Sequence, residues 1–195
     1  MNETRKFILE TAFRLFLQKT FKEVTMQEMV TETKLSKGAF YHHFKSKEQL
    51  FGEVIAHFFR LMMQREQEVR GDMTLKNYYR WCAERTVGLQ EMVGSDGAEV
   101  SLNFYYMIFD ALKIVPGFRN TLRKHQDAEL NAWMEVVRRA KASGEIRSAL
   151  GSREIALMFI HTGDGFSLEL VLDGNPQALK QKILKVWGAF YKSLQ

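Results

Sequence analysis

The chain has 195 residues, of which 46% are hydrophobic and 26% charged, and it carries a formal net charge of +5. That is the composition of an ordinary globular protein; two prolines and one cysteine exclude a collagen-like, low-complexity or disulfide-stapled chain. The basic excess is uneven: residues 1–50 hold nine Lys/Arg against six Asp/Glu, so the first quarter supplies +3 of the total +5, the bias expected of a nucleic-acid-binding head.

No apolar run approaches the roughly 18 residues a membrane-spanning helix requires. Glu3 and Glu10 interrupt the region where a secretory leader needs an unbroken apolar stretch. The expectation is a cytoplasmic protein with no membrane partner. Cys82, alone, cannot form an intrachain disulfide and reads as a small buried hydrophobe.

Helical periodicity runs through the whole chain. Ile8, Ala12, Leu15 and Phe16, widened by Phe7 and Phe13, give an apolar face to a first helix over about Glu3 to Gln18. Thr25 with Glu28 three residues on forms a capping box, and Met26, Met29 and Val30 make a short inward stripe. Leu35 is an apolar plug in a turn. Ser36 caps a two-turn helix, Lys37 to His43, whose Phe40 and Phe44 face inward, and Ser46 caps a longer helix reaching about Val69. Gly71-Asp72 breaks that helix. Further helices are predicted over Thr74 to Met92, 98–115, Phe118 to Ala142, Arg153 to Leu172 (capped by Ser152) and 176–193, the last begun by Asn175-Pro176. Gly94-Ser95-Asp96-Gly97 and Pro116-Gly117 are the intervening turns. The helix over 98–115 is apolar nearly all round, which predicts burial on most sides. The fold class is all-α, with about nine helices and no convincing strand.

The outward face of the region 24–47 carries DNA-type chemistry. Lys37, Lys45 and Lys47 can neutralise phosphates. Thr25, Ser36 and Tyr41 have hydroxyls placed to bond phosphate oxygens. Gly38 and Ala39 let the backbone come close to base edges, and His42 can offer a ring nitrogen to a base or a phosphate. Cap, turn, plug, short helix and second cap together specify a helix-turn-helix rather than a lone amphipathic helix with a solvated face.

The stretch SKGAFYHHFKSKEQLF, Ser36 to Phe51, resembles the recognition-helix signature of the tetracycline-repressor-like (TetR) family of bacterial transcription regulators, and the resemblance covers about residues 5–55. Two positions depart from it. Lys34 stands in the turn where the family usually has Gly, and a left-handed backbone there is harder for Lys. Ala39 stands where a small hydroxyl residue is often found. The resemblance implies a DNA-binding head over 1–47 and a ligand-binding and dimerisation domain over 48–195. It implies a homodimer joined by the last two long helices, a palindromic duplex DNA operator, and an unidentified small-molecule effector. The regulator is expected to be a repressor, with an activator or a ligand-independent DNA-binding protein as the alternative. Candidate walls of the effector site are Tyr78, Trp81, Tyr105, Tyr106, Phe109, Trp133, Met134, His161 and Phe166, a set of aromatic and polar groups suited to an apolar pocket. Gly163 and Gly165 would let helices approach closely.

Enzyme chemistry finds no support in the sequence. Gly163-Asp164-Gly165 lacks the third glycine and the preceding strand of a dinucleotide loop; His42 and His43 are adjacent and so point to different sides of a helix; no H-E-x-x-H, paired-Cys or G-x-S-x-G pattern occurs. No catalytic residue, metal or cofactor is expected.

Overall fold

The computed structural model describes residues 2–68, 73–85 and 97–195, and among these the chain is all-α, with nine helices and no strand. They are α1 Glu3–Gln18, α2 Met26–Thr33, α3 Lys37–His43, α4 Lys47–Glu68, α5 Leu75–Arg85, α6 Gly97–Ile114, α7 Phe118–Ala142, α8 Ser152–Asp173 and α9 Pro176–Ser193. The Gly71-Asp72 break, the helix expected over 86–92 and most of the loop at 94–97 lie outside the described residues.

Caps set the helix starts. Asn2, Thr25, Ser36, Ser46, Thr74 and Asn175 each accept a hydrogen bond from a backbone N–H two or three residues on, at 2.9–3.2 Å. At α8 the cap is Gly151, without a side-chain bond; Ser152, expected as the cap, is the first helical residue instead. The capping box at α2 is half formed. Thr25 receives the Glu28 N–H, but the Glu28 carboxylate lies 2.5 Å from the Lys19 ammonium rather than on the Thr25 amide. That pair ties the end of α1 to α2 and raises the Lys19 pKa. Glu145 acts as a remote cap for α5, accepting from the N–H groups of Leu75 and Lys76 at 3.0 Å each and from the Tyr191 hydroxyl at 3.1 Å.

Two hydrophobic clusters result. The first gathers α1 to α4 around fully buried Phe16, Phe40, Phe44 and Phe51, and continues into α6 and the start of α7 through Val100, Met107, Ala111 and Phe118. Asn103 of α6, itself buried, donates to the Leu17 carbonyl of α1 at 3.2 Å. The second cluster joins α5, α7, α8 and α9 around Trp133, Phe159, Trp187 and Tyr79. Packing therefore does not divide where the chain passes from residue 47 to 48.

Two expectations about exposure are corrected. Phe7 is exposed rather than part of the inner face of α1. Helix α6 is not buried on most sides: Leu102, Tyr106 and Phe109, at successive helical turns, face outward, because α1 and α8 cover only its other sides. Gly163 serves this chain's own packing, since a Cβ there would meet Trp187 Cζ2 at 2.9 Å, whereas one at Gly165 would meet nothing within 4 Å.

Gly163→Ala should therefore destabilise the fold by about 1–3 kcal/mol, the usual range for an overpacked core. Gly165→Ala should be neutral or slightly stabilising in the isolated chain. Thermal unfolding of the two variants side by side measures the difference; equal midpoints would contradict the packing of α8 on Trp187.

Candidate nucleic-acid interface

A seven-residue helix has too few internal hydrogen bonds to persist alone in water, so α3 depends on what holds it. Phe40 and Phe44 are fully buried in the first cluster. The Arg5 guanidinium of α1 donates to the His43 carbonyl at 3.1 Å, pairs with both Glu53 carboxylate oxygens at 2.6 and 2.5 Å, and lies 4.5 Å from the centre of the Phe44 ring. One cation thus closes the C-terminal end of α3 and links it to α1 and α4.

The opposite side of the helix-turn-helix is open. Thr25, Ser36, Lys37, Gly38, Ala39, His42 and Lys45 are all exposed. Thr25 and Ser36 accept from helix N–H groups, and a hydroxyl that accepts in this way still has its own proton to donate. Tyr41 is half-buried, with its ring against the head core and 6.0 Å from that of Phe40. A Cβ built on Gly38 meets nothing within 4 Å, and its φ is not in the positive range. No contact inside the chain requires glycine at that helical position.

Lys47, expected among the phosphate contacts, is placed otherwise. Its ammonium donates to the carbonyls of Phe21 and Val24, each at 2.8 Å, and lies 4.3 Å from the centre of the Phe21 ring. It fastens the α1–α2 loop to α4. Composition and spacing suggest a free lysine here, because two backbone carbonyls converging on it leave no trace in the sequence. Arg5 was likewise invisible as a clamp: its partners lie 38 and 48 residues away.

The nine residues expected to line an effector site divide by exposure. Tyr78 and Trp133 are buried and pack on each other, ring centres 4.7 Å apart, and Trp133 stacks on Phe159 at 4.8 Å. Trp81, Tyr105, Met134 and Phe166 are half-buried. Burial, then the charge of Asp164, raises the Tyr105 pKa; α6 packs against α8. Tyr106, Phe109 and His161 face outward in the single chain. His161 lies instead on the outer face of α8, 3.4 Å from Asp164.

The arrangement of α2 and α3, packed against α1 and α4, is a helix-turn-helix. A sequence profile described as "Bacterial regulatory proteins, tetR family" matches residues 8–54, the helix-turn-helix head. It is 40% identical over 76 residues to the uncharacterized HTH-type transcriptional regulator YerO of Bacillus subtilis, a match covering 39% of this chain and 26% of that protein. The chain thus matches only about a quarter of YerO's length. Over almost the full length it is 22% identical to the HTH-type transcriptional repressor DhaR of Mycobacterium sp., covering 98% of this chain and 94% of that one. Its fold is shared with AibR, solved in complex with isovaleryl coenzyme A and operator DNA, at a TM-score of 0.65 and 19% identity, covering 94% and 97% of the two chains.

Exposed Lys37 and Lys45 should each flatten the salt dependence of DNA binding by about one unit of slope when changed to Ala, with unchanged thermal stability. Lys47→Ala should instead lower stability by about 1–3 kcal/mol, the loss expected when acceptors are left unpaired. Titrations of a mixed-sequence duplex at several salt concentrations, with melting curves, separate the two classes; a stable Lys47→Ala protein with a flattened slope would reverse the assignment.

Gly38→Ala offers an independent check. It should stabilise the free protein by about 0.5 kcal/mol, since Ala is the better helix former, yet weaken DNA binding if the added methyl stands on the face expected to approach the bases. Stabilisation with undiminished DNA affinity would remove Gly38 from the interface.

Proposed function

We propose that the protein is a homodimeric, ligand-responsive repressor that binds a palindromic operator. The single observation carrying the dimer is the outer face of α8. This helix is apolar and long enough to pass, by length and composition, for a membrane span, yet only 22% of its most apolar 18-residue window is buried. Met158, Leu168 and Leu172 are exposed along it, with Leu150 before it and Val186 on α9. A groove of about 600 Å³ lies on the same face, lined by Leu150, Glu154, Leu157, Met158, His161 and Thr162. A contiguous apolar stripe on a DNA-binding chain is best accounted for by a second copy packing α8 and α9 against their symmetry mates. Gly165, open to solvent, lies on this side and suits close approach.

Two-fold symmetry then presents two α3 helices about one turn of DNA apart, reading the two halves of a palindrome. Each head would use Thr25, Ser36, Tyr41 and His42 for positioning, Lys37 and Lys45 for phosphate charge, and Gly38 and Ala39 for close approach to bases. Along the chain the functional division is 1–47 for the head and 48–195 for dimerisation and effector binding, and the protein works in the cytoplasm, where its DNA is. It is a regulator rather than an enzyme.

The effector site falls among α5, α6, α7 and α8, where half-buried Trp81, Met134 and Phe166 pack against the cluster that holds the buried Tyr78–Trp133 pair, with half-buried Tyr105 on α6. The structure of AibR with both a coenzyme A ester and operator DNA supports a fold able to serve both ligands. Effector and operator must each weaken the other's binding by the same factor.

Met158→Arg with Leu168→Arg should convert the dimer to a monomer and abolish tight operator binding, while helix content by circular dichroism stays as in the parent. Sedimentation at micromolar concentration reads the state. A parent protein that sediments as a monomer would sink the dimer.

A further inference from the structure

We infer that Lys34, in the turn of the helix-turn-helix, is a phosphate-binding residue of the DNA interface. Three observations carry it. Lys34 is the one non-glycine residue with positive φ among those described, at 55° in the left-handed region. That backbone suits glycine, and a lysine holds it only against the close approach of its Cβ to the following carbonyl. Second, the side chain is exposed, and the described contacts give its ammonium no hydrogen bond and no ion pair; Lys34's own bond is from its backbone N–H to the Thr31 carbonyl at 3.1 Å. Glu32, the nearest acid along the chain, is exposed and forms no described ion pair with it. So the contacts within the chain do not reward lysine over glycine.

Third is its place. Lys34 precedes Ser36, the cap of α3, by two residues. Two residues span at most about 7 Å, so its Cα stays beside the end of α3 that carries Lys37, Gly38 and Ala39. An extended lysine stem reaches outward from there by a distance comparable with half the roughly 12 Å width of the major groove. The ammonium can therefore meet a phosphate at the groove edge as α3 enters. A lysine at the C-terminal end of α2 also faces the negative end of that helix's dipole, and this effect alone is the rival explanation. The two differ in what DNA does to them: dipole compensation is complete in the free protein, whereas a phosphate contact releases counterions on binding.

The inference rests on the reading that this head binds duplex DNA, and the experiment keeps the two apart. Full-length protein, Lys34→Gln and Lys34→Gly are titrated with a mixed-sequence duplex long enough for two half-sites, at several salt concentrations, and each is melted without DNA. Lys34→Gln keeps the left-handed strain and loses the charge; its slope of log affinity against log salt should fall by about 0.9 per head, with the same loss on any sequence. Lys34→Gly should lose the same slope and melt at a higher temperature than the parent. A residue that is both more stable as Gly and a weaker binder as Gly or Gln is held for its DNA contact. If the parent binds and both variants keep its slope, Lys34 serves only the α2 dipole and the inference fails alone. If the parent binds no duplex at low salt, the DNA reading fails and this inference with it.

Discussion

The fold depends most on the anchoring of one short helix. At seven residues α3 gains little from its own hydrogen bonds, so its rigidity is borrowed. Burying Phe40 and Phe44 fixes its rotation, and the Ser36 cap fixes its start. The Arg5 clamp fixes its end, with the His43 carbonyl, the Glu53 carboxylate and the Phe44 ring around a single guanidinium. The planar, permanently charged fork of Arg suits such a three-way role in a way the point charge of Lys does not. Lys47 does for the α1–α2 loop what Arg5 does for α3, with simpler geometry: one ammonium and two carbonyls. With these cations spent on structure, exposed Lys37 and Lys45, and Lys34 as we infer, are the cations near α3 that the proposed function assigns to phosphates.

The head is also not an independent body. Phe13 of α1 stacks on Phe58 of α4 at 4.5 Å, Phe58 meets Phe104 of α6 at 5.9 Å, and Phe59 meets Phe118 of α7 at 5.1 Å. This aromatic seam runs from the DNA-binding helices into the remainder of the chain. Interiors packed this closely transmit displacement rather than absorb it. Helix α4 is the covalent link, and α6 is a second, noncovalent one, bonded to α1 through Asn103 and packed on α8.

What the sequence revealed and what it hid follow one physical distinction. Features set within four residues were legible: the caps at Thr25, Ser36, Ser46 and Asn175 and the Phe40/Phe44 face, while the left-handed turn at Lys34 is suggested only by the resemblance to a family that usually has Gly there. Helix bounds and fold class come from the same short-range signals. Features set by partners far along the chain were not. Lys47 and Lys45 look alike in sequence, yet one is tied to carbonyls more than twenty residues away and the other is free-facing. Tyr105 and Tyr106 are adjacent aromatics on one helix, and only the neighbours of α6 decide that the first turns inward and the second outward. Gly163 and Gly165 share a motif, but Trp187 selects the first. The sequence can show that a residue is suited to a site; which of several equivalent residues reaches it depends on long-range packing.

In the proposed dimer this geometry constrains how an effector could act. The α8–α9 face would be fixed by symmetry, while α6 touches both α8 and the head. A molecule held among α5, α6, α7 and α8 bears on α6 from the side opposite to α1, so any shift it favours is passed to α1 through the Asn103–Leu17 bond and the Phe58–Phe104 contact. Tight binding is not sufficient for control. A ligand that fits both head spacings equally leaves the operator equilibrium where it was, however strongly it binds. Selectivity must come from groups whose surroundings change as α6 moves. Tyr105 is placed for this, half-buried and within the field of Asp164 on the neighbouring helix. In the proposed site the buried Trp133, packed on Tyr78 and Phe159, would be the fixed wall.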